Sequence, residues 1–276
     1  MYTLNCKGRL LSLEKPAVMG ILNCTPDSFF AGSRIASEKQ LLEKAGAMLA
    51  AGAQILDVGG QSTRPGSEKV DALTEAGRVV PFITRLKETY PHAFLSIDTY
   101  YASVAKAAVE AGADLVNDIS SGTLDANMLA TVAALRVPYV AMHMKGTPQT
   151  MQQQAQYEDV VVEVLQWLLQ KVEECRQAGI VDVIADPGFG FGKTTAQNFR
   201  LLWELKAFSL LGCPVLAGLS RKSMIYKTVG GTAEEALNGT TVLNTIALLN
   251  GAALLRVHDV KEAVEAVQLL QAMQQT

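Results

Sequence analysis

The stretch Val183-Ile184-Ala185-Asp186-Pro187-Gly188-Phe189-Gly190-Phe191-Gly192-Lys193 decides how this chain is read. Val183, Ile184 and Ala185 form a short apolar run of the kind that makes a fully buried strand. The run stops at a carboxylate followed by proline and glycine, both of which end regular structure. Three alternating glycines then let the backbone turn tightly, with two phenylalanines at the rim and a lysine closing the loop. A strand that delivers an acid into a glycine-rich loop is how an open-topped α/β site is built. A nucleotide-binding Walker loop is the nearest rival, and it needs four residues between its first glycine and the Gly-Lys pair. Gly188 and Gly192 enclose three, and residue 187 is proline, so that reading is rejected.

Working outward, the same unit recurs: a short apolar strand ending in polar residues, a loop, then an alanine- and leucine-rich helix. The strands are expected at 18–22, 55–58, 94–97, 115–117, 139–142, 183–185, 215–218 and 254–257. A hairpin of 2–4 and 9–13 precedes them. Helices are expected at 38–51, 103–111, 160–177, 236–249 and 260–273, several with a glycine directly behind them as a left-handed stop. The segment 232–235 reads as a helix start, and Asp259 as a cap for the last helix. Eight such units, about 34 residues apart, match a (β/α)8 barrel of about 250 residues. The predicted fold is therefore α/β, a single (β/α)8 TIM barrel over residues 1–276 with a short N-terminal β-hairpin. A doubly wound open sheet is the runner-up, but no GxGxxG follows the first strand.

Composition narrows the function. Apolar residues make up 49% of the 276 and charged residues 18%, which describes a well-buried chain and not a disordered one. The net charge of −3 gives no global case for nucleic acid, so an anion site has to come from locally clustered Arg and Lys. Cys6, Cys24, Cys175 and Cys213 lack metal-type spacing and read as reduced thiols. The N-terminus lacks the pattern of a signal peptide, and no apolar run approaches the ~18 residues of a membrane span. A cytoplasmic protein is expected.

In a (β/α)8 barrel the functional groups sit at the C-terminal ends of the strands. Those ends carry Asn23, Asp57, Asp98, Asn117-Asp118, His143, Asp186, Ser220-Arg221-Lys222-Ser223 and Arg256-Val257-His258-Asp259. Asp98, Asn117, Asp186 and Lys222 come from four ends aimed at one point. Two carboxylates, an amide and an ammonium suit a flat heterocycle with several N–H donors and a carbonyl, such as a pterin or guanine. Arg64, Arg256 and His258, with Thr63 and Asn23, make a donor-rich cationic patch for phosphate or pyrophosphate. Each residue also has a bland reading. Any single Asp here caps a helix by default. Asp57 reads equally as an internal carboxylate bonded to backbone, and Asp118 as a loop anchor. His143 and His258 read as core or rim histidines, Lys193 as a solvated loop charge, and Phe189 and Phe191 as closing the core. Only their convergence points to a site.

Together these loops resemble the dihydropteroate synthase family of pterin-binding barrels. The matching stretches are GILNCTPDSF (20–29), DVGGQSTRPG (57–66), SIDT (96–99), NDI (117–119), DPGFGFGK (186–193), SRKS (220–223) and RVHD (256–259). They fall in order along nearly the whole chain. The resemblance implies condensation of 6-hydroxymethyl-7,8-dihydropterin pyrophosphate with 4-aminobenzoate, giving 7,8-dihydropteroate and pyrophosphate in folate biosynthesis. It assigns Asp98, Asn117, Asp186 and Lys222 to the pterin ring, with Arg256 stacking on it. Asn23 would help bind Mg2+, with Thr63, Arg64, Arg256 and His258 on the pyrophosphate. Thr63, Pro65, Phe191, Lys222 and Ser223 would form the 4-aminobenzoate pocket, and loops 23–34 and 60–70 would close over the reactants. Asp98, Asp186, Lys222 and Arg256 would be the catalytic set, in an SN1-like path. A homodimer through barrel helices is also implied, with 242–249 and 264–273 as contributing faces, as is sensitivity to sulfonamides. Cys24 stands where the family more often has an aliphatic residue, and reads first as a small hydrophobe, second as a reactive thiol.

Three other functions compete. A corrinoid-linked methyltransferase using methyltetrahydrofolate shares the Asp and Asn pattern but has no need of SRKS, RVHD or STRPG. A non-catalytic pterin-binding paralogue would have lost site residues, and none is missing. A Schiff-base aldolase would use Lys222, which borohydride trapping would label.

Overall fold

The computed structural model describes residues 2–24, 34–62 and 69–274, the side chains of 34–37 excepted. Eight parallel strands run as β3 (Ala17–Asn23), β4 (Ile55–Gly59), β5 (Phe94–Asp98), β6 (Leu115–Asp118), β7 (Tyr139–Met142), β8 (Val183–Asp186), β9 (Leu216–Ala217) and β10 (Leu254–Val257). Their order is β8-β7-β6-β5-β4-β3-β10-β9. The sheet closes on itself where Ala185 bridges Val215 and donates its N–H to the Pro214 carbonyl at 2.9 Å. This is the expected (β/α)8 barrel. Every expected strand is present, and the error lies at the ends: Asn23, Asp98, Asp118 and Asp186 belong to the strands instead of following them. The ninth strand shrinks to two residues, because Pro214 has no N–H to give the ladder.

The hairpin β1 (Thr3–Cys6) and β2 (Arg9–Ser12) pairs antiparallel and plugs the N-terminal end of the barrel. Leu4, Cys6, Leu11 and Leu13 pack there against Met19, Ile55, Leu115, Val140, Ile184, Leu216 and Leu254. Those seven are inward-facing strand positions. Two residues further along each strand, the pleat points the next inward side chain towards the opposite end. On four of the seven strands that residue is polar, Asp57, Asn117, Asp186 and Arg256, and on the other three it is Ile21, Met142 and Gly218. One step of alternation therefore takes β4, β6, β8 and β10 from an apolar layer to a polar cluster.

Nine α-helices flank the barrel among the described residues: α1 (Arg34–Ala50), α2 (Ala72–Thr89), α3 (Ala102–Glu110), α4 (Met128–Leu135), α5 (Val160–Gln177), α6 (Thr195–Trp203), α7 (Ser223–Val229), α8 (Leu237–Leu249) and α9 (Val260–Gln274). Their apolar faces and the outward strand residues form the main core. Four of them, α2, α4, α6 and α7, go beyond the sequence reading. α2 holds Pro81 inside it and starts at Asp71, whose carboxylate accepts the Thr74 N–H at 2.9 Å. Thr232 and Glu235 do bond to each other, yet as a turn ahead of α8. The Asp259 carboxylate, expected to cap α9, is taken up by Arg221 through two bonds of 2.8 Å.

Candidate active site

The polar layer begins with a charged cluster on β4, β5, β6 and β10. The Arg256 guanidinium donates through Nε to Asp57 Oδ2 and through Nη2 to Asp98 Oδ2, each at 2.6 Å. Asn117 Nδ2 adds a bond of 3.0 Å to the same Asp57 oxygen. Asp57, Asp98 and Asn117 are all buried, Asp57 completely. Their other carboxylate oxygens, Asp57 Oδ1 and Asp98 Oδ1, are buried and have no hydrogen-bond partner among the described residues. A buried, unpaired carboxylate oxygen is costly, and it is relieved by an N–H donor arriving from a ligand. Burial raises the Asp98 carboxyl, the Arg256 charge pulls it back and the Asp57 charge raises it again, leaving it at about 7. Asp57 is thus a member of the site. The backbone-bonded alternative is corrected: its partners are side chains.

Across the barrel, Asp186 Oδ1 accepts the Gly188 N–H at 2.7 Å. Burial pushes this carboxyl up, while Lys222 draws it back. A methyl placed on Gly218 would lie 3.9 Å from both Asp186 Oδ2 and Lys222 Nζ, so the two charges flank that glycine. Lys222 Nζ donates to the Phe189 carbonyl and sits 4.8 Å above the centre of the Phe191 ring. Burial lowers its pKa to about 8 against the opposing pull of Asp186. Ser223 opens α7 directly behind it. Phe191 packs on Tyr100, Ile119, Met142, Met144 and Met151, whereas Phe189 is fully buried in the main core.

The solvated reading of Lys193 is wrong. Its side chain is buried, and Nζ contacts His143 Nδ1 at 3.0 Å, Gly188 O at 2.9 Å and Phe191 O at 3.0 Å. Burial lowers its pKa to about 7. His143 is a buried core histidine, edge-on to Trp167 with ring centres 5.0 Å apart. Burial and the Lys193 charge hold it neutral, so Nδ1 accepts from the ammonium and Nε2 carries the proton.

His258 lies beside this layer. Its Nδ1 is 3.0 Å from Ser220 Oγ, and burial, then Arg256, push its pKa down to about 4. In its neutral form it can offer an N–H and carries no charge. Asn23 sits at the end of β3, its Oδ1 sharing with Asp98 Oδ2 the space over Gly59, 3.7 Å from a methyl placed there. Among the described residues no three His, Cys, Asp or Glu gather into a metal cage. A lone amide oxygen next to a carboxylate does fit Mg2+, which keeps waters and takes most ligands from substrate phosphates. Thr63, Arg64 and Pro65 lie outside the described residues, as do most of loops 23–34 and 60–70. Cys24 is buried, and burial pushes its thiol up to about 12, which supports the small-hydrophobe reading. Asp118 is the loop anchor: it accepts from Ser120 N and Oγ, Gly122 N and Tyr139 Oη, each at 2.7 Å.

A second network escaped the sequence reading. Glu75 of α2 is fully buried and accepts from Gln61 Nε2 at 2.7 Å, while Tyr100 Oη donates to Gln61 Oε1 at 2.8 Å. Arg78 donates to Gly60 O at 2.8 Å, and Tyr101 Oη to Val70 O at 2.8 Å. Both stems of the segment between residues 62 and 69 are pinned in this way. Burial pushes the Glu75 carboxyl up to about 8. The signal available in the sequence was one acid at a helical position otherwise facing the core, next to Val79, Phe82, Ile83 and Leu86.

A barrel whose polar end gathers unpaired carboxylate oxygens, an amide and a lysine defines a pterin-type site, and the chain belongs to the pterin binding enzyme family, which matches residues 19–258. Within that family its relatives include dihydropteroate synthases. The Escherichia coli enzyme is 40% identical over 268 residues, covering 96% of this chain and 94% of its own. The Xanthomonas albilineans enzyme solved with 4-aminobenzoic acid superposes with a TM-score of 0.93 at 42% identity, covering 99% of this chain and 98% of that one. The same enzyme in complex with 7,8-dihydropteroate gives 0.90 at 40% identity over the whole of both chains.

Proposed function

We propose that the chain condenses 6-hydroxymethyl-7,8-dihydropterin pyrophosphate with 4-aminobenzoate, the dihydropteroate synthase reaction, by an SN1-like path. One observation carries the reading: two buried carboxylate oxygens, Asp57 Oδ1 and Asp98 Oδ1, lack donors beside Asn117 in a cavity end that also holds Asp186 and Lys222. An aminopterin edge supplies N–H donors to such acceptors and takes N–H from Asn117 and Lys222. The relatives solved with 4-aminobenzoic acid and with dihydropteroate support the same substrates.

Asn23 would hold Mg2+ together with pyrophosphate oxygens, and the bound ion would supply charge neutralisation for the leaving group. His258, as a neutral N–H donor, and Arg256, whose Nη1 makes no bond among the described residues, serve that end, joined by Thr63 and Arg64. As the C–O bond to pyrophosphate lengthens, positive charge develops on the CH2 carbon and the ring. Asp98 and Asp186, in surroundings that exclude water, favour that charge. Phe191, Lys222, Ser223, Thr63 and Pro65 hold 4-aminobenzoate so that its amine faces the carbon, which lowers the entropic barrier. The amine forms the C–N bond and loses its proton after attack. No enzyme nucleophile is used.

The test is formation of dihydropteroate from the two substrates with Mg2+, followed by mass spectrometry, with a sulfonamide added in increasing amounts. Product that appears, and inhibition that 4-aminobenzoate competes away, are the expected results. Tight pterin binding without product would mark a non-catalytic paralogue and sink the proposal. No helix among the described residues is long and apolar enough to cross a membrane. A cytoplasmic homodimer is proposed with it, supported by the exposed apolar side chains Trp203, Val242, Leu249 and Met273 on helices α6, α8 and α9. A sedimentation mass of one chain would contradict the dimer.

A further inference from the structure

We infer that Lys193 is a positioning residue for the amine-substrate half of the site, its ammonium acting as the internal cation around which the 188–192 loop folds. The substrate name rests on the function proposed above; the loop argument does not.

The loop's backbone accounts for itself carbonyl by carbonyl. Gly188 O and Phe191 O accept from Lys193 at 2.9 and 3.0 Å. Phe189 O accepts from Lys222. Gly190 O accepts from Gln152 Nε2, and Gly192 O from Tyr157 Oη, both at 3.0 Å. Five consecutive carbonyls are thus taken by side chains, and Lys193 alone joins the two that begin and end the turn. Its third proton goes to His143 Nδ1. An ammonium has three donors, and all are committed, two inside the loop and one to His143.

The backbone is shaped to match. Gly188, Gly190 and Gly192 all have positive φ, at 70°, 82° and 63°. At Gly188 a side chain is impossible on space alone, because a Cβ would fall 2.0 Å from His143 O. Alternating left-handed residues turn the carbonyls of 188 and 191 inward and that of 189 towards Lys222. The loop therefore presents two opposite surfaces, one binding Lys193 and the other binding Lys222 and offering the Phe191 ring beneath it. Loss of the inner cation leaves Phe191 O without its donor and Gly188 O with the Phe191 N–H alone, at 3.1 Å, which costs the loop its shape and not the barrel its core. Lys193 touches none of Asp57, Asp98, Arg256 and Asn117, so those pterin-edge groups stay in place; of the pterin set only Asp186 and Lys222 meet the loop, through the Gly188 N–H and the Phe189 carbonyl.

The experiment compares wild type with Lys193→Ala and the milder Lys193→Gln, the latter keeping an uncharged donor of two N–H bonds. Three readouts are taken on folded protein: KM for 4-aminobenzoate, Kd for the dihydropterin pyrophosphate, and amide exchange of the 186–193 peptide, each with and without added ammonium chloride. In Lys193→Ala the KM for 4-aminobenzoate should rise about tenfold or more, and the pterin Kd by clearly less, because Asp57, Asp98 and Asn117 lie off this loop. Exchange in the 186–193 peptide should speed up. Ammonium, entering the carbonyl-lined space left by the side chain, should reverse both effects in part, and tetramethylammonium should not. A merely structural lysine would lower the melting temperature without this split or this rescue. Unchanged exchange, or equal losses for both substrates, overturns the inference. Wild type that makes no dihydropteroate overturns the proposed reaction instead, while the exchange measurement still decides the role of Lys193.

Discussion

The two ends of the barrel interior are built from the same strands and do opposite things. Ile55 and Asp57 are two residues apart on β4, Leu115 and Asn117 on β6, Ile184 and Asp186 on β8, Leu254 and Arg256 on β10. The first of each pair is sealed under the β1–β2 hairpin in an apolar cluster. The second carries charge or an amide, and at the far end two carboxylate oxygens lack any donor among the described residues. Stability is concentrated at the first end, where burial gains free energy. The other end gives some of it up, because partly satisfied buried charges are destabilising until a ligand completes them. One step of strand alternation separates these regimes, so substitutions at adjacent inward positions should separate cleanly in their effects.

The sharpest break in that comparison comes from Lys222→Ala. It should lower kcat/KM about 10²- to 10³-fold while the melting temperature stays close to that of wild type, measured by steady-state turnover and calorimetry. Leu254→Ala at the sealed end should do the reverse. Denaturant unfolding should show about 2–5 kcal/mol lost, as for other large-to-small core changes, with KM values unaltered in the folded fraction. A Leu254→Ala enzyme with a changed KM for 4-aminobenzoate would mean that the two ends are mechanically coupled.

A subtler test uses pH. The Glu75 carboxyl is raised by burial from 4.5 to about 8. A raised acid contributes stability that is complete below about 4.5 and is lost as pH climbs through about 8, because the folded state holds a proton the unfolded chain has released. Glu75→Gln, which stays neutral and can still accept from Gln61, removes that dependence. The melting temperature of wild type should therefore fall relative to Glu75→Gln between pH 5 and pH 8; parallel curves would mean that Glu75 ionises normally in the fold. The smallest effect is expected at Cys24, whose buried thiol, raised to about 12, should not react with an aromatic disulfide reagent in native protein, and should react once unfolded.

Periodicity made the barrel legible. Apolar runs of four or five residues with polar ends mark buried parallel strands, and all eight were found from them. Helices α4 and α7, of eight and seven residues, are too short to show a face, and α2 hides behind Pro81. At the site, Asp98, Asn117, Asp186, Lys222 and Arg256 were readable because strand ends in a barrel must converge. Which charge pairs with which was not, since it depends on register around the barrel: Arg256 on β10 reaches Asp57 and Asp98 on β4 and β5. Lys193 misled for a physical reason. A lysine after glycines is ordinarily solvated, and the inward carbonyls of its own loop together with the His143 ring make burial tolerable here.

The most direct test of the account is pyrophosphate release from 6-hydroxymethyl-7,8-dihydropterin pyrophosphate and Mg2+, with and without 4-aminobenzoate, in wild type and Lys222→Ala. Release that depends on the amine and is largely lost in the variant is the predicted result. Pterin bound tightly with no release in either condition would contradict it.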